Sequence, residues 1–169
     1  GPTCSSISRC STIENGAMYV TPGSHKGPVY NHHEHGYFCG AIDPDEIKPE
    51  IERAVPLTGP AGTLTIHHAR LLHGSAFNRS TKARRFLLQA YAAADAWPLA
   101  DLKGGLAAFN DKIVHGEPTL QPRMEAPPVR IPLPLRPDVI VGSIYDNQSI
   151  LENKFYGTLE DEKQAIPAE

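Results

Sequence analysis

The fold of this chain is decided by residues 62–91, which read GTLTIHHARLLHGSAFNRSTKARRFLLQAY. Residues 63–68 alternate polar and apolar side chains, a pattern that is typical of a half-buried strand. Residues 71–74 form a second short apolar run, and residues 84–92 carry the strongest strand pattern of the chain after the polar connection 76–83. Short strands that follow one another so closely predict an all-β core.

The composition limits the class of protein. A chain of 169 residues is long enough for one domain with a core. Its 14 glycines and 16 prolines predict many turns and exclude a helical bundle or a coiled coil. Apolar runs such as residues 86–88 argue against wholesale disorder. The net charge of -3, without a basic stripe, argues against nucleic acid as a partner.

The sequence also predicts where the protein works. No apolar run approaches the roughly 20 residues of a membrane span, so we expect no membrane association. The three cysteines, Cys4, Cys10 and Cys39, are an odd number and contain no zinc-type pair. An odd number of cysteines favours a reducing compartment. Because the start shows no secretory pattern either, we expect a cytoplasmic protein.

The residues before this stretch contain turn and loop signals. Residues 14–16, Glu-Asn-Gly, predict a tight turn because Asn-Gly readily adopts positive φ. A short strand is predicted at residues 17–20, and Thr-Pro-Gly ends it. Residues 24–43 are a histidine-rich loop, and residues 44–54 predict one or two acidic helical turns.

The character of the chain changes after Trp97. Residues 99–114 predict a helix that Gly104 and Gly105 weaken. Residues 118–137 contain seven prolines and predict an extended arm over the surface.

These patterns predict two parts in one domain. Residues 1–97 form the β core, and residues 98–169 form a C-terminal extension packed on it.

Two segments of the chain resemble the phytanoyl-CoA dioxygenase family of Fe(II)/2-oxoglutarate oxygenases. They are STIENGAMYVTPGSHKGPV at residues 11–29 and the stretch 62–91, so that the resemblance covers roughly residues 11–97. It implies a double-stranded β-helix, also called a jelly roll. It also implies Fe(II) and 2-oxoglutarate as cofactors and a small-molecule substrate.

The resemblance implies roles for three residues. The family holds iron with an HxD motif and a later histidine, which matches His73. An arginine eleven residues further on binds the distal carboxylate of 2-oxoglutarate and matches Arg84. Asn78 matches a family asparagine on the cosubstrate side, although it could equally cap a turn.

The chemistry of these side chains agrees with those roles. Neutral imidazole is a good ligand for Fe(II). Because strand side chains alternate, Arg84 shares a face with Phe86 and Leu88, and an arginine on so apolar a face needs an anion. Arg85 lies on the other face and is expected to be structural. His67 and His68 must face opposite sides, so at most one lines the site, and we expect neither to bind iron.

One departure from the family stands out. The HxD motif lies well before the Glu-Asn-Gly turn, yet here 13 residues precede Glu14 and none is His or Asp. The opening GPTCSSISRC also differs from the apolar strand of the family. We therefore expect a jelly roll that is incomplete at its N-terminal side and impaired in catalysis. A fragment, a lost half or ligands from elsewhere all remain open.

Two HxE patterns could substitute for the missing ligands. His32 and Glu34 precede His73, whereas His115 and Glu117 follow it. The first pair lies in the histidine-rich loop, which could instead be a solvated loop that closes over a substrate or a surface site for zinc or nickel. The second pair lies in the irregular C-terminal part and is the weaker candidate.

The sequence leaves three functions. The first is a 2-oxoglutarate-dependent dioxygenase, which couples oxidative decarboxylation of 2-oxoglutarate to hydroxylation of a C–H bond in a small organic molecule. The second is a non-catalytic remnant that binds a small carboxylate through Arg84. The third is an interaction module whose Pro-rich arm packs on a partner. If the strands that carry HxD are missing, the strand near Met18 loses its partners, and unpaired strand edges predict an edge-to-edge homodimer.

Overall fold

The computed structural model describes residues 2–7, 10–99, 101–124, 134, 136–138 and 144–151. These residues form mostly strands with few short helices. The strands are β1 (Pro2–Ile7), β2 (Met18–Val20), β3 (His33–Glu34), β4 (Tyr37–Phe38), β5 (Val55–Leu57), β6 (Leu64–His68), β7 (His73–Ser75) and β8 (Phe86–Ala90). The helices are α1 (Lys48–Glu52), α2 (Gly105–Asn110) and α3 (Ile144–Gln148), with 3-10 turns at Ser24–Lys26 and Pro44–Ile47.

The strands form two antiparallel three-stranded sheets and one hairpin. The first sheet has the order β6-β1-β8, the second has the order β5-β2-β7, and β3 pairs with β4. In the first sheet Thr3 is opposite both His67 and Ala90. In the second sheet Val20 is opposite both His73 and Val55. The three strands predicted within residues 62–91 are therefore divided between the two sheets.

The N-terminal segment differs from the expectation. Its sequence shows no strand pattern, yet Pro2–Ile7 forms the central strand of the first sheet. The strand is defined by pairing, because β6 and β8 offer backbone donors and acceptors on both of its sides.

The expectation that the strand near Met18 lacks partners is also wrong. Strand β2 is central in the second sheet, with β5 on one side and β7 on the other. Within the described residues, β7 and β8 each pair with one neighbour and lie at a sheet edge.

The core lies around β2 and the segments that pack on it. Ala17 and Val20 are buried, as are Ile51 of α1 and Cys39. Buried polar groups here are satisfied by local hydrogen bonds: the Thr21 hydroxyl donates to the carbonyl of Glu50 at 2.8 Å. This part of the chain is therefore the best-packed region that the structure describes.

The first sheet is much less covered. Leu64, Ile66 and Leu87 share one face through their pairing with β1, and their exposed fractions are 56%, 68% and 57%. Apolar side chains in such positions leave an unpartnered face on this sheet among the described residues.

The helix predictions hold in part. The acidic segment 44–54 contains a 3-10 turn followed by α1, as expected. The helix predicted at residues 99–114 is only α2, because Gly104 and Gly105 have φ of 81° and 78°. That left-handed conformation is not compatible with the interior of a right-handed helix, so α2 does not extend back beyond Gly105.

Much of the Pro-rich segment 118–137 lies outside the described residues. Of its backbone, the carbonyl of Pro134 accepts a hydrogen bond from the amide of Phe38 in β4 at 3.4 Å. Within the described part of the chain, no helix has the length and apolar character needed to cross a bilayer.

Candidate functional site

The imidazole of His73 is held by the backbone just before it. Its Nδ1 lies 2.7 Å from the carbonyl oxygen of Leu71. Because a carbonyl only accepts, Nδ1 carries the proton in this contact, which leaves Nε2 as the nitrogen that could bind a metal. A metal-binding histidine is usually oriented in this way, with one nitrogen tied to the protein and the other open.

Arg84 reaches the face of β7 that carries His73. Its guanidinium donates to the hydroxyl of Ser75 at 3.1 Å, and Ser75 follows His73 by two residues on the same strand. The guanidinium carbon also lies 4.8 Å from the centroid of the Phe86 ring. Arg84 is half-buried whereas Arg85 is exposed, although both precede β8, whose five residues are all exposed.

Asn78 uses its side chain within its own turn. Its Oδ1 accepts from the amide and the hydroxyl of Ser80, at 2.9 and 2.7 Å, and its Nδ2 donates to the carbonyl of Lys82 at 2.8 Å. The side chain therefore shapes the connection that leads from His73 to Arg84, which is the turn-capping alternative.

The Glu-Asn-Gly turn docks on the connection that follows β7. The amide of Arg79 donates to the carbonyl of Glu14 at 2.9 Å, and the amide of Ala76 donates to the carbonyl of Ala17 at 3.3 Å. Gly16 has φ of 79°, and a Cβ there would lie 2.6 Å from the carbonyl oxygen of Ala76. Only glycine permits this close approach.

The Pro-Gly-Ser-His-Lys turn fixes the residue before His73. The amide of Leu72 donates to the hydroxyl oxygen of Ser24 at 2.8 Å, and the carbonyl of Leu72 accepts from the amide of Thr21 at 3.0 Å. The guanidinium of Arg70 donates to the carbonyl of Gly27 at 2.7 Å. The two motifs therefore hold the His73 strand at both of its ends.

His67 and His68 face opposite sides, as the alternation predicts. The ring centroid of His67 lies 5.7 Å from that of His73, and His67 Nδ1 is buried without a hydrogen-bond partner. Burial, and secondarily the neighbouring His73, lowers the pKa of His67 below its ordinary value. The His68 ring instead lies 5.6 Å from that of His25.

Neither HxE pattern forms a metal site in the structure. Glu34 lies in the β3-β4 hairpin and contacts His35 at 3.6 Å. The backbone carbonyl of His32 accepts from the amide of Cys39, and the His32 imidazole has a hydrogen bond with the backbone of Gly40. His115 and Glu117 are exposed.

The described residues do not complete an iron site. Among them, no group of three or more His, Cys, Asp and Glu side chains could hold a metal ion. His73 offers one suitable nitrogen, whereas a 2-His-1-carboxylate site needs three protein ligands. No chemical step can therefore be derived through a metal from these residues alone.

Two contacts of the site could not be predicted from the sequence. Nothing in the strand pattern distinguishes Ser75, whose hydroxyl accepts a hydrogen bond from Arg84. His67 is one of two adjacent histidines, and alternation alone does not say which of them meets His73.

The sequence is similar to known proteins over most of its length. Residues 10–86 match the family model described as phytanoyl-CoA dioxygenase. Over 148 residues, 85% of this chain, the sequence is 47% identical to a probable alpha-ketoglutarate-dependent hypophosphite dioxygenase from Stutzerimonas stutzeri. The chain spans 50% of the length of that relative.

Solved structures with limited likeness include EctD from S. alaskensis. The form with 2-oxoglutarate and 5-hydroxyectoine is 28% identical, with a TM-score of 0.40 over 52% of this chain and 29% of that one. The form with bound Fe is 27% identical, with a TM-score of 0.40 over 52% of this chain and 30% of that one.

Proposed function

Residues 10–86 belong to the phytanoyl-CoA dioxygenase family, and on that premise we propose that this chain supplies the 2-oxoglutarate side of an Fe(II)-dependent dioxygenase with a jelly-roll fold. The relative from Stutzerimonas stutzeri is named for its dependence on alpha-ketoglutarate. Its substrate, hypophosphite, is the first candidate substrate here, in place of the small organic molecule that the family resemblance suggested.

One observation carries the proposal: Arg84 bonds Ser75 on the strand that presents His73. A bidentate guanidinium is suited to a planar carboxylate. In this proposal Arg84 binds the distal carboxylate of 2-oxoglutarate and Ser75 orients the guanidinium. Asn78 acts on the cosubstrate side through the turn that places Arg84.

His73 is the proposed metal ligand of this chain. Its Nδ1 contact with Leu71 fixes the ring so that Nε2 is the nitrogen available to a metal. The remaining ligands are not among the described residues, so activity and substrate are proposals about the whole enzyme that the relative represents.

The test compares two oxo acids in their binding to the purified chain, with Zn(II) in place of Fe(II). 2-Oxoglutarate has a distal carboxylate, whereas pyruvate lacks one. We expect saturable binding of 2-oxoglutarate and none of pyruvate at the same concentration, measured by calorimetry. Equal binding of the two acids, or no binding of 2-oxoglutarate, would contradict the proposal.

A second candidate function follows from the incomplete metal site. The described residues hold no metal-binding group of three side chains. A non-catalytic domain that binds a small carboxylate through Arg84 needs no such group. Succinate formation by the whole enzyme in the presence of Fe(II), 2-oxoglutarate and hypophosphite separates the two functions, because only the dioxygenase makes succinate from 2-oxoglutarate.

A further inference from the structure

One polar atom beside the candidate site is buried without a partner. His67 Nδ1 makes no hydrogen bond and is shielded from solvent. Buried nitrogens of this kind are usually paired, because leaving one unpaired is unfavourable. The atom therefore marks a position where a bound group would complete a hydrogen bond.

The position of His67 is set by its strand. On β6 the exposure alternates, with Thr65 and His67 half-buried and Ile66 and His68 exposed. His67 thus faces away from the exposed apolar side chains of its sheet. Its ring approaches His73 of the other sheet, with the centroids 5.7 Å apart and the planes at 53°. His67 is thereby a neighbour of the proposed metal ligand from the opposite sheet.

The unpaired nitrogen of His67 sets the kind of ligand that fits here. An oxyanion offers only acceptors, which suits an imidazole whose Nδ1 carries the proton.

We propose that His67 is a substrate-binding residue whose Nδ1–H donates a hydrogen bond to an oxygen of a small oxyanion seated beside His73. The inference rests on the proposed function and names His67 as a residue that recognises the substrate. It assigns no proton transfer to His67.

The experiment measures hypophosphite binding to the chain saturated with 2-oxoglutarate, with Zn(II) present. His67→Phe keeps an aromatic ring and removes the donor, whereas His67→Asn places an amide donor near the position of Nδ1. His68→Phe is the matched control on the exposed face of the same strand. The imidazole nitrogens are observed in long-range ¹H–¹⁵N spectra.

We expect hypophosphite to shift the His67 Nδ1 resonance. His67→Phe should weaken hypophosphite binding about tenfold or more, which is typical for a lost hydrogen bond to a charged group. His67→Asn should recover most of the affinity and His68→Phe should leave it unchanged. All three variants should bind 2-oxoglutarate as the wild type does, which also shows that they fold.

Two results would overturn the inference while leaving the proposed function intact. One is wild-type binding of 2-oxoglutarate without any binding of hypophosphite. The other is hypophosphite binding that His67→Phe does not change. Failure of 2-oxoglutarate to bind the wild type would instead overturn the proposed function on which the inference rests.

Discussion

The guanidinium of Arg84, two residues before β8, donates a hydrogen bond to the hydroxyl of Ser75 in β7 at 3.1 Å. Ser75 shares its strand face with His73, so the contact places a fixed positive charge beside a histidine whose Nε2 is open. This pairing of groups is the physical basis for the cosubstrate proposal.

Gly16 is expected to be essential for the position of the connection after His73. Its φ is 79°, and a Cβ would lie 2.6 Å from the carbonyl oxygen of Ala76. Gly16→Ala should lower the free energy of unfolding by about 2–4 kcal/mol, the sum of left-handed strain and a backbone clash. Urea unfolding followed by circular dichroism measures this loss in the free energy of unfolding.

Gly36→Ala is the matched control for that experiment. Gly36 has φ of 84°, but a Cβ there would meet nothing within 4 Å. This variant should show only the strain of about 1–2 kcal/mol. Equal losses in the two variants would mean that the contact with Ala76 has no energetic role.

Iron should bind the isolated chain weakly. His73 offers one nitrogen, and the described residues contain no group of three metal-binding side chains. Titration with Fe(II) or Mn(II) should show affinity no greater than that of surface histidines, and turnover of 2-oxoglutarate should be near background. Tight, stoichiometric iron would contradict this and would make His32 and Glu34 the first residues to replace.

Stability should fall on mild acidification because of His32. Burial, the largest effect, and then His33 lower its pKa below 6.5, while the hydrogen bond with the backbone of Gly40 acts in the opposite direction. The unfolded chain therefore takes up the proton first as pH falls. The stability that neutral His32 contributes is present above pH 6.5 and is lost as pH falls through the folded-state pKa.

Thermal unfolding between pH 7.5 and 5 measures this effect. In His32→Asn the Tm should fall less steeply with pH than in the wild type. Part of the fall should remain, because the pKa of His67 is lowered too. His115→Asn removes a histidine at an exposed position and serves as the control. An unchanged slope in His32→Asn would show that His32 titrates alike in both states.

The chain is expected to associate through its sheet edges. In the described residues β8 has a neighbour on one side only, and Leu87 of β8 is 57% exposed. Light scattering should show dimers or aggregates. Leu87→Lys should shift the chain toward monomer, whereas Val114→Lys, at a site 81% exposed and outside the sheets, should not. A thermally stable wild-type monomer would contradict this.

The sequence pattern predicted those features of the fold that depend only on residues close together in the chain. The alternation at Leu64–His68 and the Asn-Gly turn at Gly16 were both correct, because side-chain period and backbone conformation are local properties. Strand β1 was missed, since its polar residues become a strand only through pairing on both sides.

The site was predictable to a similar extent. Alternation predicted that Arg84 and Arg85 differ, and Arg84 is half-buried whereas Arg85 is exposed, although both residues precede β8 rather than lie in it. The contact of Arg84 with Ser75 joins the segment before β8 to β7, and the contact of His67 with His73 joins two sheets. No spacing along the chain encodes such contacts. The division at residue 97 stays a prediction.

Calorimetric titration of 2-oxoglutarate into the wild type, Arg84→Ala and Arg85→Ala, with Zn(II) present, tests whether Arg84 binds the cosubstrate. Loss of a charged, hydrogen-bonded partner in a partly desolvated site costs about 2–5 kcal/mol. Arg84→Ala should therefore abolish measurable binding, while Arg85→Ala, changed at an exposed neighbour, should bind as the wild type does. Wild-type affinity in Arg84→Ala would contradict the account.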